Sequence, residues 1–102
     1  MDTTTNPVQL NNARHRFEMT TDGKLSFVEF QQADDETLAL IHTEVHPDLE
    51  GQGVGSKLVK GVLDYARTNN LHIMPYCPFV AIYLKRHADY QDLIKPGFQV
   101  EP

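Results

Sequence analysis

The feature that most constrains this chain lies between Val45 and Lys57, where an extended apolar run ends, glycines follow at 51, 53 and 55, and an amphipathic helix begins. Thr37 to Val45 is apolar on both faces at Leu38, Ala39, Leu40 and Ile41, the pattern of a central strand. Beyond the glycines, Val54, Leu58, Val62 and Tyr65 or Ala66 recur at helical spacing, with Val59 and Leu63 widening the same stripe. Glycines between a strand and a helix let the backbone approach a ligand and aim helix-start N–H groups outward, an arrangement that holds anions. Ser56 and Lys57 can add a hydroxyl and an ammonium. The plainer alternative is a turn that only changes direction.

Two standard phosphate motifs fail on spacing. A P-loop needs Gly, four residues, then Gly-Lys-Ser or Gly-Lys-Thr, whereas Ser56-Lys57 comes in the reverse order and too soon after Gly51. A dinucleotide fingerprint needs its third glycine three residues after the second and belongs after the first strand of a parallel sheet.

The flanking segments supply that sheet. Arg14 to Thr20 and Lys24 to Gln32 alternate as two strands about the hairpin signal Asp22-Gly23, and a polar turn at Ala33 to Glu36 leads into the central strand. The helix has a left-handed stop at Asn69-Asn70, and Leu71 to Met74 is a short buried strand. A strand, helix, strand succession implies a right-handed crossover and a parallel pair. Pro75 to Pro78 breaks the chain, and Phe79 to His87 resumes helical spacing with Cys77 as N-cap and Pro78 as first helical residue. The fold class is therefore α+β: a three-stranded antiparallel meander plus one parallel strand, with helices on the sheet. One short turn fits around Tyr90 to Ile94.

With 102 residues, 40% of them apolar, the chain supports one core and one domain, expected over 14–102. Residues 1–13 are polar and without periodicity, and read as a flexible arm. A net charge of −5 disfavours nucleic acid and makes a cationic or neutral partner more natural. No apolar run reaches the roughly 20 residues of a membrane span. A single cysteine and the lack of a secretory-type leader point to a reduced, cytoplasmic setting.

The stretch Glu50-Gly51-Gln52-Gly53-Val54-Gly55, preceded by Val45-His46-Pro47, resembles the phosphate motif of the GNAT superfamily of acetyl-CoA-dependent N-acetyltransferases. Glu50 departs from it, standing where that motif has Arg or Gln. Ala81-Ile82-Tyr83 is similar to the superfamily's second CoA-contacting segment. Ile41 to Val45, the glycine turn, and Ile73 to Cys77 sharpen the resemblance to a small GNAT-like subfamily of about a hundred residues, lacking the helices that help wall the acceptor site and the last strands. The resemblance implies a minimal GNAT fold with acetyl-CoA as cosubstrate and an amine as acceptor. It implies contacts to the cosubstrate from Val45, His46, Gln52, Gly53, Val54, Gly55, Ser56, Lys57, Ala81 and Tyr83. It also places Cys77 and His42 near the acetyl thioester. A non-catalytic acyl-CoA-binding module is the alternative.

Thioester aminolysis needs a base for the amine and an acid for the departing thiolate. His42 suits the first task, and Glu44 shares its strand face by alternation; against this, His42 could be a half-buried strand histidine bonded to a neighbour. Cys77 at a helix N-terminus has the setting of a nucleophilic thiolate, or is an inert buried hydrophobe. Tyr83 is the candidate acid, or packs its ring on the sheet. Lys85-Arg86-His87 fits a phosphate or complements a helix dipole. The remaining histidines show no metal-ligand spacing, so no metal is expected. The oligomeric state is left between monomer and weak dimer, with a sheet edge to be paired or protected.

Overall fold

Asp22 and Gly23, both at positive φ (50° and 78°), close a two-residue hairpin between β2 (Arg16–Thr21) and β3 (Lys24–Asp34). The register sets Phe17 opposite Val28 and Met19 opposite Ser26, so one face of the ribbon is buried. β3 turns back into β4 (Thr37–Glu44), and β5 (His72–Pro75) joins β4 in parallel. The computed structural model describes residues 7–98, and among them a further strand, β1 (Gln9–Asn11), pairs antiparallel with β2. The sheet thus has five strands in the order β1-β2-β3-β4-β5.

The helix α1 (Val54–Thr68) crosses one face of this sheet, burying Val54, Leu58, Val59, Val62, Leu63 and Ala66. Tyr65 meets Phe17 edge-on at 5.1 Å. The helix ends as the sequence implies, with Asn70 left-handed at φ 56°. A second helix, α2 (Pro78–Arg86), starts on Pro78 with Cys77 as its N-cap, and packs with Val80, Tyr83 and Leu84. Its sequel, a 3-10 turn at Ala88–Leu93, is pinned to α1 by Arg67, which donates to both carboxylate oxygens of Asp92 at 2.9 Å, and by Tyr90, which donates to Asp64 at 2.6 Å.

Two expectations are corrected. Within the segment read as an arm over 1–13, Gln9–Asn11 forms a strand; a Cβ on Gly61 would collide with the Val8 side chain, and that close seat on α1 gives the three-residue strand its anchorage. Pro75 closes β5 rather than following it, a strand end where its missing N–H costs nothing. The outer edge of β5 is partly covered, since Ile94 bridges Ile73 and the Lys95 N–H donates to the Ile73 carbonyl at 2.9 Å. Residues 1–6 and 99–102, parts of the expected arm and tail, lie outside the described residues. Among the described residues no helix is long and apolar enough to cross a membrane.

Candidate active site

Between β4 and α1 the chain makes a 3-10 turn at Pro47–Leu49 and then two left-handed glycines, Gly51 (φ 82°) and Gly53 (φ 74°). Gly53 is the N-cap of α1 and offers no side-chain cap; the first helical bond runs from the Lys57 N–H to the Gly53 carbonyl. Geometry at a helix start leaves the N–H groups of Gly53, Val54, Gly55 and Ser56 without helical acceptors. They border a cleft of about 340 Å³ floored by Leu49 and Val54 and walled by Thr43, Val45 and Phe79. Among the described residues that line it, exposed Glu50 is the only charged side chain, so the positive potential at the cleft is that of the helix start rather than of a lysine.

The third glycine serves a different end from the other two. Gly55 has helical φ, and a Cβ there would lie 2.5 Å from Cζ of Phe79 and 3.2 Å from both of its Cε atoms. Gly55 is a seat for the Phe79 ring, which closes the α2 side of the cleft.

The cleft continues along β4. Pairing with β5 stops at Leu40 opposite Pro75, and the Cys77 N–H donates to the Leu40 carbonyl at 2.9 Å. Beyond that bond β5 departs while β4 runs on to Glu44, so this flank of β4 has no strand neighbour among the described residues.

A bulge decides which residues face the cleft. Glu29 lies opposite His42 and Phe30 opposite Leu40, leaving Ile41 as the extra residue. Glu29 and Phe30 face opposite ways, so Leu40 is buried in the core while His42 turns outward. His42 and Glu44 share the uncovered face as alternation predicted, with Nε2 and Oε1 3.4 Å apart and side chains 53% and 61% exposed. Thr43 and Val45 face the other way, into the cleft. Cys77 belongs to their side: its thiol, 4% exposed, donates to Thr43 Oγ1 at 3.2 Å and makes no cap bond to α2. His42 and Cys77 therefore stand on opposite faces of β4.

The other expected residues divide. Val45, Gly53, Val54, Gly55 and Ser56 line the cleft. Lys57 lines a groove on the far side of α1, with Val8, Met19 and Lys60. Gln52 donates to the Asp48 carbonyl at 3.3 Å, and His46 Nδ1 accepts from the Asp48 N–H at 3.1 Å, so both brace the loop. The Ala81 N–H donates to the Cys77 carbonyl at 3.0 Å within the first turn of α2. Tyr83 is buried against α1, stacked on His87 at 3.9 Å; burial raises its phenol above the ordinary value, Lys60 opposes this, and Asp64 and Asp89 add to it. It does not line the cleft. Thr43 and Phe79 were not singled out from sequence; Thr43 was open to the alternation that links it to Val45, whereas nothing local reveals Phe79.

A family model described as GCN5-related N-acetyl-transferase matches residues 16–93, from β2 to the last 3-10 turn. A GCN5-like protein from Staphylococcus aureus, solved by NMR in solution, is 32% identical over 86% of each chain, with a TM-score of 0.66. No curated protein matches the chain.

Proposed function

The chain belongs to the GCN5-related N-acetyltransferases, and from that premise we propose that it binds acetyl-CoA in the cleft and passes the acetyl group directly to an amine. One observation carries the reading: free helix-start N–H groups open onto a cleft that continues along an unpaired strand flank. The first suits a pyrophosphate, and the second suits the amide-bearing pantetheine arm, whose N–H and C=O groups can pair with β4 as a strand would.

The chemistry follows from which face each side chain takes. An amine arriving from the uncovered face meets His42, whose imidazole, held by Glu44, can receive the amine proton directly or through a water. The nitrogen then bonds to the acyl carbon, the carbon–sulfur bond breaks, and the CoA thiolate leaves. On the cleft side the Thr43 hydroxyl accepts from Cys77 and keeps its own proton free to hydrogen-bond a departing thiolate. Among the described residues the hydrogen-bond partner of the Cys77 thiol is Thr43 and not a base, which favours direct transfer over an acetyl-cysteine intermediate.

A second reading, acyl-CoA binding without transfer, is favoured by the exposure of His42 and Glu44, since no described element walls an acceptor beside them. Thiol release from acetyl-CoA across a panel of amines separates the two. Direct transfer predicts release that slows in His42→Ala and Glu44→Gln, with no acetyl increment on the intact protein. An increment that disappears in Cys77→Ala would replace direct transfer by a covalent route, and no release with any amine would leave binding alone.

A further inference from the structure

On the reading just given the acyl group lies where the groove closes, and we propose that this end takes straight-chain acyl groups longer than acetyl, laid across Ile41, Tyr76 and Phe98. The groove closes at the bond from the Cys77 N–H to the Leu40 carbonyl. The residues flanking that bond on either side are Ile41 and Tyr76. Ile41 is the bulge residue, 41% exposed, and Tyr76 is 58% exposed, the largest value among the exposed large hydrophobic residues. Phe98 arrives from a third segment. The Lys95 N–H is tied to the Ile73 carbonyl of β5, Gly97 turns at φ 88°, and the Phe98 N–H donates to the Lys95 carbonyl. Its ring then meets Tyr76 edge-on at 5.2 Å.

Three separate segments of the chain thus contribute Ile41, Tyr76 and Phe98 about the bond that closes the groove, with the Tyr76 and Phe98 rings in contact. An acetyl methyl ends before them, so a short substrate gives these side chains nothing to cover them. Three side chains are far too small an area for a stable protein interface, which needs about 800 Å² from each partner. An aliphatic chain continuing from the thioester fits both the size and the chemistry. Each methylene laid on a patch open on one side should tighten binding about twofold, the square root of the factor for full burial.

The test is calorimetric titration of the whole chain with acetyl-, butyryl- and hexanoyl-CoA, repeated with Tyr76→Ser and with Phe98→Ser. Affinity should rise about fourfold from acetyl to butyryl and about fourfold again to hexanoyl, and the rise should flatten in both variants while acetyl-CoA affinity is kept. A flat series in the unmodified protein overturns the proposal, as does a rise that survives both substitutions. If no acyl-CoA binds at all, the reading of the cleft itself fails, an outcome distinct from a flat series.

Discussion

Gly55→Ala separates two reasons for having glycine in the turn. The added Cβ would stand 2.5 Å from Cζ of Phe79, and ordinary carbon contacts begin near 3.5 Å, so the ring must retreat by about 1 Å or more. Phe79 is 41% exposed and the cleft beside it has about 340 Å³, so the ring can swing there. Losing some ten carbon contacts costs about 1 kcal/mol, and alanine's helix propensity returns a similar amount. Stability should change by less than about 0.5 kcal/mol, while CoA affinity drops roughly tenfold because the displaced ring fills the cleft. Thermal melts and calorimetric titration with CoA measure the two quantities. In a Phe79→Ala background the Gly55→Ala effect on affinity should vanish, since the cycle removes the clash. Gly53→Ala is the contrast: nothing lies within 4 Å of its Cβ, but φ is 74°, and the left-handed backbone should cost about 1–2 kcal/mol of stability. Unchanged CoA affinity in Gly55→Ala, or the same loss with and without Phe79, would refute the claim that this glycine exists to seat the ring.

Two predictions concern the scaffold. Thr21 is fully buried and its hydroxyl has no hydrogen-bond partner among the described residues, so Thr21→Val should raise unfolding free energy by about 1 kcal/mol in urea titration; an equal loss would reveal a partner. Asp34 accepts from Lys95 at 2.6 Å, and from the Glu36 N–H, which together hold its carboxyl down from 3.8 to about 2. A depressed carboxyl stabilises fully above its unfolded value and loses that contribution as pH falls through the folded one. The melting-temperature gap between the unmodified protein and Asp34→Asn should therefore be constant above about pH 5 and close towards pH 2, and a gap independent of pH would contradict the linkage.

The elements that local chemistry dictates were legible: the Asp22-Gly23 hairpin, the α1 stripe, the parallel β5 and the Cys77-Pro78 helix start. The strand β1 was not, because Gln9 and Asn11 carry no pattern and its anchorage is the hole at Gly61, more than fifty residues away. Alternation put His42 with Glu44 but could not foresee that a bulge at Ile41 sets them across β4 from Cys77, since bulges arise from pairing between strands. The glycine spacing placed a strand-to-helix turn, yet only the packing of Phe79 shows that Gly55 answers to its ring. Lys57, adjacent to the cradle in sequence, is carried by helical rotation to the opposite side of α1.

On the proposed function, one ligand spans the helix start of α1 and the free flank of β4. Amide chemical shifts recorded while CoA is added test it directly. Large, saturable shifts are expected at Gly53, Val54, Gly55 and Ser56 together with Thr43 and Glu44, all following one binding curve. Unmoved amides at the helix start, or shifts there without any response along β4, would contradict it.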